Sequence, residues 1–133
     1  MKTALVTIAS NENLYLRDFV KYYKEIGFTN IFLIDNSPED GDFPQLVIGD
    51  FISEGFVNYI NKRGDKSKEW MRTSYNETVN SLVGKYDWAA VFDVDEYLVF
   101  NDGSKTIDDY LLKFEGNNIA TIKINWRCFN ANN

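Results

Sequence analysis

Residues 4–35, ALVTIASNENLYLRDFVKYYKEIGFTNIFLID, decide the fold class. Leu5 to Ala9 is a short apolar run suited to a buried strand. It breaks at Ser10-Asn11-Glu12-Asn13, residue types that favour a helix start. Leu16, Phe19, Val20, Tyr23 and Ile26 then recur at helical spacing and make one apolar stripe. Gly27 stands where such a helix would end in the left-handed conformation. Ile31 to Ile34 is a second apolar strand, and it delivers Asp35 at its carboxyl end. Strand, helix and strand in succession form a βαβ unit, which implies parallel pairing and a right-handed crossover.

Outward from this unit, Asn36-Ser37-Pro38-Glu39-Asp40-Gly41 is loop chemistry. Phe56 to Ile60 predicts a third strand, and Lys62 to Lys68 a charged surface loop. Met71, Tyr75, Thr78, Val79 and Leu82 mark a second long helix that closes near Gly84. Trp88 to Phe92 is apolar without interruption, as expected of a central strand covered on both faces, and runs into Asp93-Val94-Asp95-Glu96. Thr106 to Asp109 matches a capping box, with Ile107, Tyr110, Leu111 and Phe114 on one helical face. Ile122, Ile124 and Trp126 alternate with Lys123 and Asn125, which predicts a last strand with one exposed face. The whole predicts one α/β domain over residues 1–133, a three-layer α/β/α sandwich.

Composition narrows the chemistry. Hydrophobic residues make up 44% and aromatics 16% of 133 residues, enough to build a core and exclude a disordered chain. The net charge of −6 argues against a nucleic-acid partner, although a divalent cation can still join acidic residues to a phosphorylated ligand. With no histidine, no Ser-His-Asp relay and no histidine-containing metal site is available. Any metal must be held by oxygens, which points to magnesium, manganese or calcium. Cys128 is the single cysteine and can form no internal disulfide, so a cytoplasmic location is expected. The apolar run near Met1 is too short for a signal peptide or a membrane span, and peripheral attachment to the inner membrane stays open.

In open α/β sheets ligands sit beyond the carboxyl ends of the strands. Ser10 to Glu12, Asp35-Asn36 and Asp93 to Glu96 fall there, and no Gly-rich dinucleotide cradle or P-loop is present. Asp93 and Asp95 carry the sharpest signal. Two hard oxygen donors projecting from a rigid strand end can hold one cation whose other sites face a diphosphate. The cation would then stabilise charge on a departing diphosphate. Asp35 fits two roles: hydrogen bonding to a base or ribose, or organising the Asn-Ser-Pro turn. Asn11 and Glu12 could line the pocket or start the helix. Arg63, Lys66, Lys68 and Arg72 are candidate phosphate contacts, and Trp126 and Phe129 candidate sugar platforms. Glu96 is expected to be committed to the turn.

These residues resemble a known family. Ser10-Asn11-Glu12 with Leu16-Arg17-Asp18-Phe19, Gly27-Phe28 through Asp35-Asn36-Ser37 to Asp40-Gly41, Tyr75-Asn76, and above all Trp88 to Leu98 are similar to family-2-like and family-92-like glycosyltransferases. Asn125-Trp126 with Phe129 extends the likeness along essentially the whole chain. Met71 replaces a frequent glutamine and Asn130 a usual glycine. The resemblance is to the lipopolysaccharide or polysaccharide biosynthesis type. It implies a GT-A fold, a nucleotide-diphosphate-sugar donor, manganese or magnesium, and a glycan or lipid-linked acceptor. By it, Ala9, Asn11, Glu12 and Asp35 surround the base and ribose, and Asp93 contacts the ribose or the metal. Arg72, from its place one turn into a helix, and Val94 are further expected donor contacts. Asp93 and Asp95 are the metal ligands, Asp95 the principal one. Such enzymes continue into an acceptor-binding half that usually supplies the catalytic base, so the fold is expected to be incomplete at the C-terminus and the base stays unassigned.

Other classes fit less well. A haloacid dehalogenase-type phosphatase also uses Asp-x-Asp, but on its first strand and before a small pair rather than Glu96-Tyr97. A receiver domain needs an acidic pair after the first strand, where only Glu12 stands. A glycosyltransferase-like domain that binds nucleotide without transfer is the third alternative.

Overall fold

The computed structural model describes residues 1–67, 69–125 and 127. Strands and helices alternate along them: β1 (Thr3–Ala9), α1 (Asn13–Glu25), β2 (Asn30–Asp35), α2 (Gln45–Ser53), β3 (Val57–Asn61), α3 (Trp70–Ser81), β4 (Trp88–Val91) and α4 (Ile107–Leu112). The strands form one sheet in the order β3-β2-β1-β4, every pair parallel. The chain therefore steps one way from β1 to β3, then returns to add β4 on the other side of β1. The strand order reverses between β1 and β4, and this is the point in such sheets where a crevice opens at the carboxyl ends.

Alternation along β1 sorts the core into two layers, as period-2 geometry requires. Leu5 and Ala9 face Leu16, Phe19, Val20 and Tyr23 of α1, Ile48 and Phe51 of α2, and Ile107 and Leu111 of α4. Ala4 and Val6 face the opposite side, where Tyr75 and Val79 of α3 pack with Leu82. Helices thus cover both faces, giving the expected sandwich. The end of α1 forms as its glycine predicts. Gly27 has φ +98°, and the amides of Gly27 and Phe28 reach back to the carbonyls of Lys24 and Tyr23, both at 3.1 Å. That is the bond pattern of a Schellman motif, and the Phe28 ring closes it against Tyr23. At the start of α4 the Thr106 hydroxyl accepts from the Asp109 amide at 3.1 Å, while the Asp109 carboxylate accepts from the Thr106 amide.

Three elements differ from expectation. Helix α2 occupies a stretch that shows no clear helical period. Its backbone leaves helical geometry at Ile48, so the apolar residues fall out of step. Strand β4 lies at the sheet edge among the described residues, not at its centre. Trp88, Ala90 and Phe92 pack on the main core, whereas Val91 is 47% exposed. A run in which every residue is apolar does not disclose which face is covered. The expected strand from Ile122 is not formed over residues 122–125, and Trp126 lies outside the described residues.

Candidate functional site

The four residues after β4 form a self-locked turn. The Glu96 amide donates to the Asp93 carbonyl at 2.9 Å, and the Asp93 amide donates to Glu96 Oε1 at 2.7 Å. Glu96 is therefore spent on the turn, as the sequence suggests. Val94 is 3% exposed and Leu98 8%, so both side chains plug into the core while Asp93 and Asp95 project outward. Val94 cannot meet a ligand with its side chain, since that side is buried; only its backbone is placed to do so. A second lock comes from α1. The Tyr23 hydroxyl donates to the Glu96 carbonyl at 2.7 Å and accepts from the Leu98 amide at 2.9 Å, and the Tyr22 hydroxyl donates to the Leu98 carbonyl. The rings of Phe19, Tyr22 and Tyr23 surround Tyr97. Two carboxylates are thus presented from a backbone held by the inward face of α1.

Asp35 ends β2 with 0% exposure. Its Oδ1 accepts from the Ser37 amide at 3.0 Å, and its Oδ2 from the Tyr59 hydroxyl at 2.5 Å and Arg63 Nη1 at 2.9 Å. Burial alone would raise its pKa, but the bonds from Tyr59, Ser37 and Arg63 override it and hold the carboxyl below its usual range. Of its two sequence readings, the structure uses Asp35 as the organiser of the turn. Arg63, expected in a solvated or phosphate-binding loop, is drawn inward by the same carboxylate. Its guanidinium also donates to the carbonyls of Pro38, Gly41 and Asp42 at 2.9, 3.1 and 2.5 Å, and lies 4.2 Å from the centre of the Phe43 ring. One cation thus folds the whole 36–43 loop around itself.

That loop is stitched to the one after β1. Asn11, in the left-handed region at φ 55°, accepts from the Asp42 amide at 2.8 Å and donates its own amide to Ser37 Oγ at 3.1 Å. The Asn13 amide donates to Asp42 Oδ2 at 3.2 Å. A Cβ on Gly41 would lie 2.4 Å from Asn11 Oδ1, so only glycine allows the two loops to close. The Ala9 carbonyl accepts from the Asn36 amide at 2.9 Å. Held this way, Glu12 sits at the reversal of strand order with Asp42, Asp93 and Asp95. Its pKa is raised from 4.5, by burial first and then by the charges of Asp95, Asp42 and Asp93.

Among the described residues no three carboxylate or thiol side chains converge closely enough to enclose a metal, so an all-protein cage is excluded there. What stands at the strand end is a pair of exposed carboxylates with a third, Glu12, strained by their charge. Hard oxygen donors too few to complete a shell suit magnesium or manganese shared with a ligand's phosphates. The residues fit that group.

Asp93, Asp95, Glu96 and Tyr75 line one end of an open cavity of about 960 Å³, whose body is walled by Trp88, Phe92, Leu98 and Ile122. Of the residues expected on the donor, Ala9, Asn11, Glu12, Asp35, Arg72 and Val94 do not line it. Arg72 is exposed on the first turn of α3. Lys66 is exposed, and Lys68, Trp126, Cys128 and Phe129 lie outside the described residues. Sequence reasoning passed over three residues that shape the site: Tyr23 and Tyr59, whose apolar spacing gives no sign of their hydroxyls' partners, and Tyr75. The Tyr75 phenol is pushed up to about 12, by burial and then by the nearby Asp93 charge. Residues 6–133 match the profile of glycosyltransferase family 92. The chain belongs to that family. A comparison with curated proteins found no match. As a family-92 glycosyltransferase its reaction moves a sugar from a donor to an acceptor. No helix among the described residues is long and apolar enough to cross a membrane.

Proposed function

We propose that this domain has the GT-A fold and binds a nucleotide-diphosphate-sugar through a divalent cation, manganese or magnesium, held by Asp93 and Asp95. The observation that carries the reading is the joint opening of both carboxylates, just past the carboxyl end of β4, into one cavity. When bound, the cation supplies Lewis-acid stabilisation of charge on the departing diphosphate. The protein's own residues do the rest. The turn from Asp93 to Glu96, clamped by Tyr23, keeps the two carboxylates at a fixed spacing, so little ordering cost remains on binding. The loops joined by Asn11 and Asp42 form the wall toward base and ribose. Glu12, repelled by its neighbours, gains when cationic charge enters, which couples the wall to the diphosphate end. The apolar body of the cavity is the side from which an acceptor, a glycan or a lipid-linked glycan, would approach. Asp35 and Arg63 support this surface from beneath.

The test is calorimetric titration of a panel of nucleoside diphosphates with manganese, with chelator, and on Asp95→Ala. Binding is expected with manganese only. Asp95→Ala should weaken it by more than the roughly 10–100-fold typical of an outer-shell partner, because a direct ligand is lost. Equal affinity with and without chelator would exclude the metal bridge.

A further inference from the structure

Tyr75 is the feature that packing alone does not explain. Its ring lies on the α3 side of the sheet against Ala4, Val6, Ile34 and Leu82, where a phenylalanine would fill the same space. Its hydroxyl is sealed from solvent and completes no hydrogen bond. It faces both the Ile8 amide and the Asp93 carboxylate without completing a bond with either. Buried polar groups are nearly always paired, and one that is not weakens the fold without return. Thr7, Asn13 and Asp108 also have buried oxygens lacking a partner, but none of the three lines the cavity, whereas Tyr75 does, beside Asp93, Asp95 and Glu96.

The Asp93 side chain is the complementary case. Its backbone is locked by Glu96, yet the carboxylate is exposed at the cavity mouth. A carboxylate offers about four lone-pair positions, so a cation ligand of this kind needs an outer partner to fix which oxygen faces the metal. A phenol has one proton to give, and this one is aimed at that carboxylate from the core side.

We propose that Tyr75 is the positioning residue for Asp93: its hydroxyl donates to one carboxylate oxygen and turns the other into the cavity toward the cation. This rests on the reading of Asp93 and Asp95 as the residues that hold the metal. The consequence is a trade between stability and binding. Tyr75→Phe removes an unsatisfied group, so the fold loses nothing, while the metal site loses its alignment.

The experiment uses the full chain, Tyr75→Phe and Asp95→Ala, each titrated calorimetrically with the manganese–pyrophosphate complex, and each melted in chelator. The expected result is a Tyr75→Phe melting temperature equal to or above that of the unaltered chain, with affinity for the complex weakened about 10–100-fold. Asp95→Ala should bind more weakly still. If Asp95→Ala loses binding and Tyr75→Phe does not, the positioning role is wrong and the metal reading stands. If Tyr75→Phe binds weakly but also melts lower, its hydroxyl serves the fold, and the proposal is overturned. If Asp95→Ala binds as well as the unaltered chain, the metal reading fails, and the proposal with it.

Discussion

Asp35→Asn is nearly isosteric and leaves the β2 backbone in place, so it isolates the carboxylate's charge. Asparagine can still accept from the Ser37 amide, which Asp35 Oδ1 takes at 3.0 Å. Its amide group then meets two donors, the Tyr59 hydroxyl and Arg63 Nη1, which approach Asp35 Oδ2 at 2.5 and 2.9 Å. Two hydrogen bonds to a charged group are lost, each worth about 1.5–3 kcal/mol, and rearrangement of Tyr59 recovers part of that. A net loss of about 3 kcal/mol follows, within the range of about 3–5 kcal/mol for breaking a buried pair. Urea denaturation near pH 7 measures it, and a change in midpoint at constant slope marks a change in stability alone. The pH dependence supplies a second check. Asp35 is held below its ordinary value of 3.8, so the folded chain binds fewer protons than the unfolded chain near that pH. Its contribution is complete above 3.8 and is lost as pH falls through the lower folded value. The gap between the two proteins should therefore narrow in acid. A variant that loses less than about 1 kcal/mol, or a gap that does not narrow, would refute the account of Asp35 as the charge that gathers Arg63 and the 36–43 loop.

Two further outcomes test the loops around the site. Glu12 is raised above 4.5 by burial and by Asp95, Asp42 and Asp93, so the folded chain binds more protons than the unfolded one above that pH and loses stability as pH rises through the folded value. Glu12→Gln should remove that loss, with melting temperatures that diverge upward from the unaltered chain as pH increases from 4.5; parallel profiles would contradict it. Gly41→Ala would place a methyl 2.4 Å from Asn11 Oδ1 and 3.0 Å from the Pro38 ring, costing about 1–3 kcal/mol in a thermal melt; an unchanged melt would mean that the two loops are not held together there.

What the sequence disclosed tracks how local each signal is. The Gly27 stop and the Thr106–Asp109 box are decided within a few residues, and both form as written. The parallel βαβ unit follows from three adjacent apolar periods. The shared outward placement of Asp93 and Asp95 was legible because alternation after a strand is itself a local rule, and both line one cavity. Arg63 was not. Its partner lies 28 residues away on another strand, and nothing in a charged loop announces that one of its cations will be drawn under the sheet's edge. The edge position of β4 among the described strands was hidden for a related reason, since strand order is set by which neighbours pair and not by the strand's own composition. Tyr75 was hidden most deeply. Helical spacing marks it as a core ring, and only the three-dimensional setting of its hydroxyl separates it from a phenylalanine.

The reversal of strand order also dictates when the site can come into being. Residues 1–61 contain β1, β2 and β3, which pair in sequence through short connections and leave the ribosome first. Strand β4 must instead find β1 across the gap from Thr3 to Trp88, a contact whose loop-closure entropy is met before any ladder bond is gained. The acidic pair thus reaches Glu12 only through the pairing of largest sequence separation among the described strands, so the charges gathered around Glu12 depend on that one long-range contact.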